Sequence, residues 1–214
     1  MPDRRVFTQP RWKPDFRLTR PTRGYEGWLG DIPAEASVTE RLIPRLVTHR
    51  LILRAPTEAD FPAYADFLNS TRARGMGGPY GTRAAWGLFC HEVAGWTLYG
   101  HGALMVDLRA SGACVGQVSI SHGPLYPEKE LGWLIYDGHE GRGYATEAAM
   151  VLRDWAHEAI GLDHLVSYID PGNARSIALA ERIGATPDAQ ARGQDPGDLV
   201  YRHRVGSGLE RLRC

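Results

Sequence analysis

One stretch constrains this chain more than any other. It reads Glu130-Leu131-Gly132-Trp133-Leu134-Ile135-Tyr136-Asp137-Gly138-His139-Glu140-Gly141-Arg142-Gly143-Tyr144-Ala145-Thr146-Glu147. The first half is a short apolar run of strand character. The glycine-rich middle is a turn. Beyond it Ala148, Leu152, Trp155, Ala156 and Ala159 recur at helical spacing, and Gly161 supplies a stop. A strand that enters a helix through such a turn aims the unpaired N–H groups of the first helical turn, and the positive end of the helix dipole, at one spot, which suits phosphate. Gly141 and Gly143 remove side chains where a ligand would approach the backbone. Glu130 stands at the far end of the feeding strand.

The identity of the phosphate ligand follows by comparing loop chemistries. A Walker loop needs Gly-Lys-Ser or Gly-Lys-Thr, and neither triplet occurs. A dinucleotide fingerprint needs glycines at relative positions 1, 3 and 6, whereas Gly138, Gly141 and Gly143 fall at 1, 4 and 6. The string Gly141-Arg142-Gly143-Tyr144-Ala145 instead resembles the pyrophosphate loop of the GNAT superfamily of acetyl-CoA-dependent N-acetyltransferases. Gly143 and Ala145 match that pattern, and Glu140 stands where Gln or Arg is usual. Three further segments resemble the family in the right order. Leu51-Ile52-Leu53-Arg54 through Phe61 looks like its first strand and helix entry. Glu130-Leu131-Gly132-Trp133 looks like a strand of the ribosomal-protein N-terminal acetyltransferase subgroup. Asn173 to Ala185 looks like the late helix flanking the pantetheine arm. The resemblance covers roughly residues 47 to 204. It implies acetyl-CoA as co-substrate, held by Trp133, Leu134 and Ile135 of the strand, by Glu140, Gly141, Arg142, Gly143, Tyr144 and Ala145 of the loop and helix start, and by Asn173 and Ser176 of the late helix. Read without the resemblance, Trp133, Tyr144 and Trp155 are packing residues, and Asn173 is a helix cap.

The chain of 214 residues fits one domain, or one domain with an appendage. A formal charge of zero argues against a nucleic-acid binder. Cys90, Cys114 and Cys214 are too few and too scattered for a disulfide framework or a zinc site, so no metal is expected. The N-terminus lacks the apolar core of a signal peptide, and no run approaches the ~18 apolar residues of a membrane span. These features lead to the expectation of a cytoplasmic protein with no membrane partner. Residues 1–46 carry Pro2, Pro10, Pro14, Pro21, Pro33 and Pro44 with Trp12 and Trp28 and no sustained period. They read as an arm that lies on the body of the protein, or that clasps a second copy in a homodimer or shapes the substrate site. Residues 47–214 read as the acetyltransferase domain.

Within that domain Thr57 and Asp60 form a capping pair ahead of Phe61, Tyr64, Phe67 and Leu68 at helical spacing. A glycine-rich loop leads to a second helix, which begins at Thr82 and carries Trp86, Phe89, Val93 and Trp96 on one face. Strands are expected at 103–107, 114–122 and 130–136, then the loop and its helix, a strand at 165–169, a helix from Asn173 to Gly184, and two last strands near 186 and 199–203. The order gives a mixed α/β or α+β fold, a central, mostly antiparallel twisted sheet flanked by helices.

Acetyl transfer to an amine needs a neutral amine, stabilisation of an oxyanion and protonation of a departing thiolate. Glu130 is the candidate base, with His122 a candidate partner across the hairpin. Many superfamily members place a tyrosine acid in the late helix where this chain has Ala180. Ser176, one turn earlier on the same face, is the candidate acid, and Tyr201 a fallback. The chain is therefore read as an N-acetyltransferase whose acceptor is a primary amine, either a protein N-terminal α-amine or a small molecule. The alternative is a non-catalytic acyl-CoA-binding sensor or interaction protein.

Overall fold

The computed structural model describes residues 43–204. The N-terminal arm up to residue 42 lies outside the described residues. Its last positions do not: Ile43 and Leu46 are buried in the main core.

Strands β1 (Leu46–Val47) and β2 (Leu51–Arg54) are followed by helices α1 (Phe61–Asn69) and α2 (Thr82–Tyr99). Then come β3 (Ala103–Leu108), β4 (Cys114–Ser121), β5 (Glu130–Ile135), α3 (Tyr144–Ile160), β6 (His164–Ile169), α4 (Ala174–Arg182), β7 (Thr186–Pro187) and β8 (Leu199–Arg204). The strands form one sheet in the order β1-β2-β3-β4-β5-β6-β8-β7. Every pairing is antiparallel except β5 with β6. The mixed, mostly antiparallel sheet expected from the sequence is the sheet found.

Side-chain alternation sorts the sheet's two faces. Leu104, Val106, Val118, Ile120 and Leu131 enter one core with Ala148, Leu152, Trp155 and Ala156 of α3. Met105 and Leu134 point the other way, into a second core with Tyr64, Leu68 and Phe89 of α1 and α2. The start of α1 is pinned electrostatically. Buried Asp60 accepts from the Thr57 N–H at 2.8 Å and from the Arg54 guanidinium at 2.7 and 2.8 Å, while Arg54 Nε reaches Asp107 at 2.6 Å. Thus the capping acid also ties α1 to β2 and β3.

The parallel pair sets the site. β5 and β6 are joined by α3, and their register contains a single pair, Glu130 with Val166. From there the strands part. The Ser167 hydroxyl spans the opening to the Leu131 carbonyl at 2.5 Å. Glu130 therefore lies at the apex of a cleft whose other end is the glycine-rich turn.

Candidate active site

A cavity of about 1660 Å³ runs along this cleft. Its lining includes the turn and helix start at 139–147, β5 from Glu130 to Ile135, the start of α4, and the underside of α1 and α2.

The glycine-rich end is built as an anion cradle. Gly138, Gly141 and Gly143 have φ of +81°, +73° and +80°, the left-handed region where other residues are strained. Gly143 is the N-cap of α3. Among the described residues no backbone carbonyl accepts from the N–H of Gly141, Gly143, Tyr144, Ala145 or Thr146. These donors open toward a cavity wall, the combination that suits a pyrophosphate.

Arg50, at the edge of β2, holds the cradle in place. Its Nε contacts Glu147 at 2.7 Å, its Nη1 donates to the Arg142 carbonyl at 2.9 Å, and its guanidinium lies 4.9 Å from the centroid of the Tyr144 ring. Glu147 also accepts from the Thr48 hydroxyl and the Arg50 N–H. Glu140 does not point at the cradle as a free anion. Its own backbone N–H, aided by Arg72 and the Gly138 N–H, holds its carboxyl below the usual range, and Arg72 Nη2 meets it at 2.9 Å. Arg72 pairs with Asp137 as well. The Arg142 side chain is exposed and does not line the cavity; what it contributes is its carbonyl.

Midway along the cleft the start of α4 faces β5. Asn173 caps the helix through its side-chain oxygen, which accepts from the Ser176 N–H at 3.1 Å. The Trp133 indole donates to Ser176 Oγ at 3.3 Å, joining β5 to α4. Asn173, Ser176, Trp133, Leu134 and Ile135 all line the cavity.

The opposite end is acidic. Glu130 on β5 and Glu92 on α2 both line it. Burial, reinforced by repulsion from Glu92 and partly offset by the Tyr168 N–H, pushes Glu130 up to about 8. Burial also pushes Glu92 up to about 7, partly offset by the Ser121 and Ser119 hydroxyls. Ser121 Oγ donates to Glu92 Oε1 at 2.9 Å, whereas Glu92 Oε2 has no partner among the described residues. Tyr126, Asp195 and Asp198 complete this end. Two carboxyls held near neutrality beside a cavity can accept and release a proton at physiological pH.

The structure brings Glu130 and Ser176 into one cavity with the cradle. It does not bring His122 or Tyr201 there. The His122 ring packs against Tyr99 at 5.1 Å and His101 at 6.3 Å, because strand alternation turns it away from the face on which Ser121 meets Glu92. Tyr201 donates to Glu181 at 3.3 Å and packs with Ile169, Ala180 and Ala185. Ala180, where a tyrosine is usual, is fully buried in that cluster.

Arg50, Arg72, Glu92 and Gln117 were not found by sequence reasoning. Glu92 carried a signal: it interrupts the inward stripe of Phe89, Val93 and Trp96 with a carboxylate. Gln117, Ser119 and Ser121 carried another, polar residues at every second position of a strand buried on both faces. For the arginines no local pattern existed.

The sequence model of the acetyltransferase (GNAT) domain matches residues 50–186. Among solved structures, an acetyltransferase from Agrobacterium tumefaciens is 60% identical, with a TM-score of 0.74, over 76% of this chain and 95% of that one. The microcin self-immunity acetyltransferase MccE, solved with acetyl-CoA and AMP, shares the fold at 15% identity and a TM-score of 0.57, over 74% of this chain and 94% of that one. The Bacillus subtilis protein YkkB is 32% identical over 108 residues, half of this chain and 63% of that protein. The Bacillus subtilis N-acetyltransferase YnaD is 27% identical over 55 residues, 26% of this chain and 32% of that protein. The chain thus spans less than two thirds of either curated relative.

Proposed function

The chain belongs to the GNAT acetyltransferase family, and from that premise we propose that it moves an acetyl group from acetyl-CoA to a primary amine, with Glu130 as the base. One observation carries the reading: a single cavity joins a left-handed glycine cradle of free N–H groups to a pair of carboxyls poised near neutrality. Bound acetyl-CoA would supply an activated thioester. Its pyrophosphate suits the Gly141 to Thr146 N–H groups, with Arg50 adding positive charge beside them.

The protein's own residues account for the rest. An amine arrives mostly as ammonium. The Glu92–Glu130 end attracts that charge, and the ionised carboxylate, directly or through a water, takes the proton. A protein or peptide α-amine, with its pKa near about 8, yields its proton to such a base more readily than a lysine near about 10.4. Ser176, whose oxygen already accepts from Trp133, keeps its own O–H proton to offer toward the developing thiolate. The strand Glu130-Leu131-Gly132-Trp133 and the serine at 176 support a place near the ribosomal-protein N-terminal acetyltransferases.

The test is direct. The purified protein is incubated with acetyl-CoA and a panel of small amines and N-terminal peptides, and CoA release is followed. Turnover above the hydrolytic background supports the reading. Tight acetyl-CoA binding without transfer to any amine would instead support an acyl-CoA sensor.

A further inference from the structure

The acetyl-transfer reading uses the cradle, Ser176 and the carboxyl pair. It leaves the floor beneath α1 and α2 without a role, and that floor is chemically specific. Gln117, Ser119 and Ser121 lie at alternate positions of β4 and all line the cavity, opposite Leu134, Gly132 and Glu130 of β5. Gln117 is only 4% exposed, yet its Oε1 is buried with no hydrogen-bond partner among the described residues. A buried carboxamide oxygen without a donor is costly and calls for a partner. Ser119 and Ser121 satisfy each other at 3.1 Å, and Ser121 also serves Glu92. Gln117 therefore marks a second polar seat, apart from the carboxyl pair.

Its position says what kind of ligand fits. Gln117 and Ser121 are four residues apart on β4, ~13 Å at ~3.3 Å per residue. Between the seats the walls are apolar, with Tyr64, Phe67, Leu88 and Leu134 lining the cavity. A Cβ on Gly132 would come 3.3 Å from Ser119 Oγ, so the glycine keeps the floor open between them. Resting on the acetyl-transfer reading, we propose that Gln117 forms a specificity subsite for a small primary amine that carries a hydroxyl or amide N–H at the far end of an aliphatic spacer. The amine sits at Glu130 and Glu92. The distal donor meets Gln117 Oε1. The spacer lies against α1 and α2. Of the two acceptor classes, such a subsite selects the small molecule over a protein N-terminus.

The experiment compares hexylamine, aminohexanol and aminohexanamide, with a short peptide bearing a free α-amine as a fourth acceptor. Steady-state kcat/KM is measured with acetyl-CoA saturating, and binding is measured by calorimetry in the presence of CoA. The hydroxyl and amide compounds should exceed hexylamine at least tenfold in both kcat/KM and affinity. In Gln117→Leu and Gln117→Met, each checked for folding by circular dichroism, that ratio should collapse to within about threefold. Equal rates for hexylamine and its donor-bearing partners in the unaltered protein would overturn the subsite. So would a preference that survives both substitutions. If no amine is acetylated but the donor-bearing compounds still bind more tightly than hexylamine in a Gln117-dependent way, the subsite stands and the transferase reading fails.

Discussion

The two ends of the cleft are made in different ways. The glycine-rich end comes almost entirely from one continuous segment, 137 to 147, and it works through backbone: left-handed glycines, free N–H groups and a helix start. The carboxyl end is assembled from α2, β4, β5 and the loop near 195, and it works through side chains whose burial sets their charge. A binding site for an invariant group can be encoded locally, whereas a site that tunes proton affinity needs several elements to exclude water from one place. If this contrast holds, substitutions at one end should change cofactor affinity and leave the chemistry alone, and substitutions at the other should do the reverse.

The largest effect is expected at Glu130. Glu130→Gln should lower kcat by roughly 10²–10⁴-fold, the usual worth of a positioned base. The acetyl-CoA dissociation constant should barely change. Stability provides a folding control with a definite sign. A carboxyl whose pKa is raised to about 8 contributes stability below its unfolded value near 4.5 that is lost as pH climbs through about 8. The glutamine variant should therefore melt no lower than the parent at pH 9. Near-normal kcat at pH 7 would remove Glu130 as the base and dissolve the contrast.

At the other end, Gly143→Val should raise the acetyl-CoA dissociation constant about ten- to a hundredfold, or about 1.4–2.8 kcal/mol, while kcat at saturation falls little. Two effects combine. A β-branched residue at φ +80° is strained by about 1–3 kcal/mol, and its Cβ would already touch Arg50 Nη2 at 3.4 Å, so its methyls crowd the arginine that holds the cradle. Gly141→Val separates them, since its φ is +73° but nothing lies within 4 Å of a Cβ there. Titration calorimetry on the two variants should show the larger loss at Gly143. Equal losses would mean that backbone strain alone, not access to the cradle, decides affinity.

A pH profile tests the coupling at the acidic end. Glu92 raises the Glu130 pKa by repulsion, so Glu92→Gln should move the rising limb of kcat/KM to lower pH. The size should be about one pH unit, read with the same amine for both proteins so that the amine's own titration cancels. A limb that stays in place would show that burial alone holds Glu130 where it is.

Legibility in the sequence follows the same division. The strand–turn–helix was readable because the glycines, the apolar strand and the helical period are adjacent in the chain. The caps at Asp60 and Asn173 and the stop at Gly161 were readable for that reason too. Glu130 could be named because it begins the feeding strand. Its partner could not, because Glu92 reaches it from a helix nearly forty residues earlier in the chain. His122 shows the opposite failure. Proximity in sequence suggested a pair across a hairpin, but the alternation of a β-strand turned the ring toward Tyr99. Arg50 belongs to the cradle only because β2 and α3 meet in the fold, so no spacing rule pointed to it.

The smallest effect is expected between the two ends, at Ser176. Ala180 cannot donate a proton, and it sits in a closed cluster with Ile169, Ala185 and Tyr201. A tyrosine there would overpack that cluster, costing about 1–3 kcal/mol, rather than reach the cleft. Ala180→Tyr should accordingly lower the melting temperature without accelerating transfer. Ser176 is better placed. The Trp133 N–H occupies one lone pair of its oxygen, which leaves the hydroxyl proton free to turn toward the cavity, and the α4 N-terminus favours negative charge nearby. A thiolate leaves readily, so its demand for a proton is modest. Ser176→Ala should slow kcat only several-fold, with unchanged acetyl-CoA affinity. Because that substitution also strands the indole N–H, Trp133→Phe is the matching control: it removes the same hydrogen bond and keeps the hydroxyl. If the serine acts on the leaving group, Ser176→Ala should be the slower of the two. Equal rates in both variants would reduce Ser176 to a tether between β5 and α4 and transfer the proton's origin to water.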